Sequence, residues 1–369
     1  MTIRGGSSFR TIEDEIAVQA RAPEVRKSGS LDGKRIAVVR MSAIGDVVHV
    51  LPIVRSIKAA APTSHITWLI QPTPHELVRN HPDVDEFILF DRKPLLANLR
   101  RVRRELHDRE FDLVLGLHTS LKASLAASAF RARRRIGFDR ARAVELNWLF
   151  TNERIPARPR GHMQDEAIEF LDYLGVPIHL EWGIGSTQLE NARYGSLLPP
   201  AEAPTVAMVV ASSHPAKDWP VERYAQLGER LQEELGARLI LVGGRTPAEL
   251  NAAERLQQLM QIPPLDLGAW DLRRLVYLLE NSDVLVSPDS GPLHIGVALG
   301  TPSVSLMGYT NPRRVGPYRF RELMVDAFSD GGEAYDASER PRRDRMERIT
   351  VEEVFEKVTH ALRTPKLPT

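Results

Sequence analysis

The chain contains no cysteine. Disulfides, thiolate metal sites and cysteine nucleophiles are therefore excluded, and a reducing, cytoplasmic compartment is compatible with the composition. No apolar run approaches the ~18 residues that span a bilayer. Residues 1–30 hold two Gly-Ser patches and lack the apolar centre of a signal peptide, so they read as a flexible extension. Net charge is almost absent, formally +1 over 369 residues, which by itself argues for neither a nucleic acid nor a membrane partner. No Gly-x-Gly-x-x-Gly follows the first apolar strand, which removes the dinucleotide fingerprint and the dehydrogenases that carry it.

What remains is an ordinary globular composition, 43% hydrophobic and 26% charged. The length suits two domains, each with its own core. The charge is uneven. Residues 1–180 carry 28 lysines and arginines against 22 carboxylates, and residues 92–142 carry 14 against 5. A basic first half points to an acidic partner or, equally, to solvated helix faces.

Apolar, β-branched runs at 35–40, 65–70, 86–90 and 111–117 read as strands, with helices expected over about 46–60 and 96–107. Residues 181–204 turn to Gly, Ser, Asn and Pro and read as a linker. The alternation then restarts. Strands are expected at 205–210, 238–243, 283–287 and 302–306, with helices at 221–235, 247–260, 272–280, 291–299 and 350–362. The pattern predicts an α/β chain with two parallel, Rossmann-like domains facing a cleft. The expected divisions are 31–180, linker 181–204, 205–345, and a C-terminal helix and tail over 346–369. Ligands in such sheets bind beyond the carboxyl ends of strands, so the loops that follow strands carry the information.

Three of those loops stand out. Arg40-Met41-Ser42-Ala43-Ile44-Gly45-Asp46 joins the first strand to its helix. Gly45 permits close approach of a ligand, and Asp46 is either a helix cap or a cleft-facing acid. Ser212-Ser213-His214-Pro215-Ala216-Lys217-Asp218-Trp219-Pro220 supplies two hydroxyls and a lysine, which suit a diphosphate or ordinary capping. Ser287-Pro288-Asp289-Ser290-Gly291-Pro292-Leu293-His294 runs from a strand into a helix whose N-terminus bears partial positive charge. Asp289 and Ser290 again have capping as their alternative role, and His294 a place in the core.

In order and spacing, the set Gly45-Asp46, Ser213-x-x-x-Lys217-x-Trp219-Pro220 and Asp289-Ser290-Gly291-x-x-His294 resembles glycosyltransferase family 9, the heptosyltransferases. The likeness runs from about Lys34 to Tyr318. Within the family, the stretches 42–52 and 116–123 are most similar to heptosyltransferase I, although Leu115-Gly116-Leu117-His118 departs from the usual Asp and Gln before the Gly-Leu.

The resemblance implies the GT-B architecture and inverting transfer from ADP-heptose with no obligatory cofactor or metal. The implied acceptor is the Kdo-bearing inner core of a lipid-linked lipopolysaccharide precursor. The enzyme would be cytoplasmic, in peripheral contact with the inner leaflet of the inner membrane, with no nucleic-acid partner. The candidate catalytic residues are Asp46, as general base, and Lys217. Ser212, Ser213, Lys217, Asp289, His294 and the Ser290–Gly291 backbone would hold the diphosphate and sugar in place of a metal. Glu249 is a candidate for the ribose hydroxyls and Trp270 for the adenine face. Acceptor candidates are Ser42, Gly45, Arg100, Arg104, Lys122 and Arg134, with Arg101, Arg103, Arg133 and Arg135 beside them. His162 reads as a capping or packing residue. Rival readings are another nucleotide sugar or glycan acceptor, a GT-B-fold sugar-nucleotide epimerase or hydrolase, and a non-catalytic nucleotide-binding protein.

Overall fold

The computed structural model describes residues 29–329 and 335–368; the expected N-terminal extension lies almost wholly outside them. Six parallel strands build the first sheet: β1 (Arg35–Val39), β2 (His65–Ile70), β3 (Glu86–Leu89), β4 (Glu110–Gly116), β5 (Arg131–Gly137) and β6 (Glu153–Arg154), in the order β3-β2-β1-β4-β5-β6. The second sheet contains β7 (Thr205–Met208), β8 (Arg238–Leu241), β9 (Leu265–Asp266), β10 (Val284–Pro288), β11 (Ser303–Met307) and β12 (Val325–Asp326), in the order β12-β11-β10-β7-β8-β9. Read from its own first strand, this is the same doubly wound order. Each sheet therefore has a switch point beside its first strand, between β1 and β4 and between β7 and β10.

Side chains alternate between two cores, as the strand period of two requires. Ile36 and Val38 enter one cluster while Ala37 and Val39 enter another beneath the opposite face. Leu285 likewise joins the first cluster, and Val284 and Val286 join a third under the second sheet. The first cluster is continuous across both domains, from Ile36 through Trp182 to Leu299. The domains thus share an apolar seam. Buried Arg273 bolts it: its guanidinium bonds Glu190 (Nε to Oε1 2.7 Å), the Leu77 carbonyl (2.9 Å) and the Gly185 carbonyl.

Several elements differ from expectation. The single helix expected over 46–60 is two, Ile44–Val48 and Leu51–Ala60. Pro52 has no N–H to donate and would clash with the Val48 carbonyl inside one helix, so the chain restarts with Pro52 near the new N-terminus. β5, with the sequence RARRRIG, is a strand that the apolar pattern does not announce. The segment 181–204 is not featureless: helix Gln188–Tyr194 is closed by a Thr187–Glu190 capping box. The helix Val351–Ala361 contributes Val354, Phe355 and Val358 to the core of the second domain. Among the described residues no helix is long and apolar enough to cross a membrane.

Candidate active site

The site forms where the two switch points meet. The helix Ile44–Val48, after β1, packs against the helix Gly291–Ala298, after β10. Close approach requires the missing side chains: a Cβ on Gly45 would stand 2.5 Å from His294 Cδ2, and one on Gly291 would stand 3.3 Å from Ile44.

On the first-domain side, Asp46 forms an ion pair with Arg40 and accepts the Ala43 N–H at 2.9 Å. Both contacts fall on Oδ2; Oδ1 has no hydrogen-bond partner among the described residues. Burial pushes the Asp46 carboxyl up, but the Arg40 charge and the Ala43 N–H outweigh it and hold the pKa below its ordinary value. Arg40 is itself anchored by a bond to the Leu117 carbonyl at 2.7 Å. A cavity of about 170 Å³ opens beside Asp46, walled by Arg40, His118, Thr119, Ser120, Arg160 and Arg314 among others. His118 accepts the Met41 N–H at 3.2 Å, and burial together with the Arg40 charge lowers its pKa to about 4.

On the second-domain side, Lys217 Nζ donates to Asp289 Oδ2 at 2.7 Å. The other carboxylate oxygen lies 3.3 Å from His294 Nε2. Burial would raise the Asp289 pKa, but His294 and Lys217 hold it well below the carboxylate range. His294 packs edge-on against His49, ring centres 4.7 Å apart, and His49 meets His162 at 5.4 Å. A buried chain therefore runs Lys217–Asp289–His294–His49, with Asp46 one turn from His49 on the same segment. Burial and the His294 charge lower the His49 pKa to about 3, so its ring is neutral.

Two six-stranded sheets in this order, joined at paired switch points, are the GT-B architecture, and a comparison with protein families decides which. The model of glycosyltransferase family 9 (heptosyltransferase) matches residues 99–334, more than half of the chain.

The chain belongs to glycosyltransferase family 9.

It is a glycosyltransferase. A lipopolysaccharide core heptosyltransferase, OpsX of Haemophilus influenzae, is 28% identical over 302 residues, covering 81% of this chain and 86% of that protein. Among solved structures, a family 9 glycosyltransferase from Veillonella parvula is 25% identical with a TM-score of 0.80, covering 91% of this chain and 99% of that one. The Escherichia coli heptosyltransferase WaaC with ADP has a TM-score of 0.72 at 22% identity, covering 89% and 99%, and shares the fold.

In this family 9 chain the candidates are placed as follows. Gly45, Asp46, Lys217, Asp289, Gly291 and His294 converge at the seam. Ser42 lies one residue past Met41 and bonds Arg92. Ser290 caps its helix, accepting the Leu293 N–H at 3.4 Å, and bonds Ser287 at 2.8 Å. Ser212 is engaged by Asp218 at 2.7 Å, while Ser213 is exposed. Both oxygens of Glu249 are taken locally: Oε1 by the Gly244 N–H at 2.9 Å, Oε2 by Thr246. Glu249 thus serves a capping box, although it walls a small cleft after β8. Trp270 is 67% exposed.

The basic candidates do not line the cavity. Arg100, Arg104 and Lys122 are exposed on helix surfaces, and Arg134 is paired with Glu153 through two bonds of 2.7 and 2.8 Å. His162 caps the helix Met163–Leu174 and bonds the Gly316 carbonyl at 2.9 Å, a capping and packing role. Sequence reasoning passes over Arg40, His49, His118, Arg160 and Arg314. For His49 a signal exists, its spacing of three from Asp46, and for His118 its place just past the strand 111–117, in the stretch 116–123; for Arg314 none does, since long-range register alone brings it in.

Proposed function

We propose that this enzyme transfers a heptose from ADP-heptose to the Kdo-bearing inner core of a lipopolysaccharide precursor, inverting the anomeric centre without an obligatory metal. The observation that carries the reading is the state of Asp46: ionised, fixed through Oδ2 by Arg40 and Ala43, and with Oδ1 free beside a cavity. The acceptor hydroxyl gives its proton to Oδ1 as its oxygen attacks the anomeric carbon. The bond from that carbon to the diphosphate breaks, and ADP leaves with the electron pair. Lys217, aimed by Asp289, and the N-terminus of the helix Gly291–Ala298 offset the charge that develops on the leaving group. Similarity to a lipopolysaccharide core heptosyltransferase of Haemophilus influenzae supports the acceptor class. The ADP held by the Escherichia coli heptosyltransferase of the same fold supports the donor. The reading carries with it a cytoplasmic enzyme that meets a lipid-linked acceptor at the inner leaflet.

The test is ADP release from ADP-heptose, with and without Kdo-lipid A. Acceptor-dependent release should fall by about 10²–10⁴-fold in Asp46→Ala, with ADP still bound, whereas Lys217→Ala should also weaken ADP. Release that ignores the acceptor would replace the transferase reading with a hydrolase. ADP binding without any release would mean another donor or acceptor, or a binding protein.

A further inference from the structure

Four aliphatic side chains stand exposed together at the rim of the first domain. Leu121, Val144, Leu146 and Leu149 are 36%, 42%, 54% and 59% exposed. They belong to two segments that are fastened to each other. The Glu145 carboxylate accepts the Leu121 N–H at 2.8 Å, and Asn147 Nδ2 donates to the His118 carbonyl at 3.2 Å and to Ser124 Oγ. At the tip, Glu145 and Leu146 adopt φ of +49° and +61°, a left-handed conformation that non-glycine residues rarely hold. Leu146 is exposed at this turn, whose backbone is closed by Asn147 N–H to the Val144 carbonyl and Leu149 N–H to the Leu146 carbonyl, each at 3.0 Å. An exposed aliphatic cluster of this kind marks a surface with a partner.

The charge around the cluster selects that partner. Residues 121–154 carry eight lysines and arginines against three carboxylates. All three carboxylates are engaged: Asp139 with Arg142, Glu145 with the Leu121 N–H, and Glu153 with Arg134. Lys122, Arg140 and Arg154 are exposed. Arg140 lies over the Trp148 ring at 4.5 Å, and Arg154 donates to the Trp148 carbonyl at 3.1 Å. Protruding aliphatics, an indole and a cationic rim are the chemistry of a monotopic contact with anionic lipid. Position agrees. Val144, Thr119 and Ser120 line the cavity that holds Asp46, so the patch borders the mouth of the site.

We propose that the face formed by Leu121, Val144, Leu146 and Leu149 docks on an anionic phospholipid surface and so delivers a lipid-linked acceptor to the cavity beside Asp46. The acceptor part of this inference rests on the transferase reading above; the lipid contact does not. The fold supplies the orientation: the aliphatic tips enter the acyl boundary, the cationic rim meets headgroup phosphates, and the cavity mouth faces the membrane plane.

Two measurements on the full chain test it. In sedimentation with phosphatidylethanolamine–phosphatidylglycerol vesicles, the protein should bind, and phosphatidylcholine vesicles should retain much less. The double variant Leu146→Glu/Leu149→Glu should lose vesicle binding by about tenfold or more. Its acceptor-dependent activity should fall on vesicle-embedded acceptor and stay at the parent level on deacylated, water-soluble acceptor. Failure of the transferase reading would leave both acceptors inert and the vesicle result intact. Vesicle binding unchanged in the double variant would overturn the inference. So would a concentration-dependent dimer in the parent that the double variant abolishes, since the face would then belong to a second copy of the chain.

Discussion

Asp46 answers to opposed influences. Its burial favours the neutral acid; the Arg40 charge and the Ala43 N–H favour the anion and prevail. With Asp46 as the base proposed above, activity is lost only when pH falls through its lowered pKa. The acid limb of kcat/KM should therefore lie below the ~3.9 of an unperturbed aspartate. Arg40→Gln removes the largest influence acting against burial, and the limb should move to higher pH by about 1–3 pH units. A pH–rate profile of both proteins checks this, and a limb that stays in place would mean that the profile reports a group other than Asp46. The same residue shows what a sequence discloses. Asp46, Lys217, Asp289 and His294 sit in the loops and first helical turns that follow strands, and can be singled out by position alone. The partner that sets the charge state of Asp46 cannot be assigned that way, because Arg40 is aimed by its bond to Leu117, and that bond exists only through the pairing of β1 with β4.

At the scale of elements, legibility follows local signal. The helices Val221–Leu235 and Leu272–Glu280 are legible to the residue, since strong apolar periods end in Gly236 and begin at the Asp271 cap. β5 is not: its sequence RARRRIG carries little apolar signal, and the guanidinium groups of Arg134 and Arg135 donate to Glu153 and to the Ala127 and Phe130 carbonyls, all outside the strand. The contact between Ile44–Val48 and Gly291–Ala298 shows the same limit. Gly45 reads as a turn or ligand-approach glycine, but the atom it makes room for belongs to His294 of the other domain. Gly45→Ala should cost about 1–3 kcal/mol in denaturant unfolding, the usual penalty for overpacking. The double variant Gly45→Ala/His294→Ala should lose less than the sum of the single variants, a coupling that distant sites lack. Additive losses would show that the two residues do not press on each other.

The whole molecule is two copies of one topology pressed together at their switch points, and three buried histidines in and beside the seam have lowered pKa values. His49 is held at about 3 by burial and by the His294 charge, and His162 well below its ordinary value chiefly by burial. His81, whose Nε2 bonds the Trp182 carbonyl at 2.9 Å, is lowered by burial as well. Each resists protonation in the fold more than its counterpart in the unfolded chain, which takes up a proton near the unperturbed ~6.5. The unfolded state then binds more protons as pH falls, so stability drops with acid and is fully present only above that value. Every fully buried histidine contributes about 1.4 kcal/mol per pH unit across the interval between its two pKa values. Urea unfolding between pH 7 and pH 5 should show a steep loss well above the carboxylate range. His49→Gln, which keeps a hydrogen-bonding side chain opposite Gln164, should flatten the slope by one histidine's share, because that position no longer titrates. A slope that His49→Gln leaves untouched would mean that His49 is protonated in the folded chain, and that the seam carries a charge between Asp46 and Asp289.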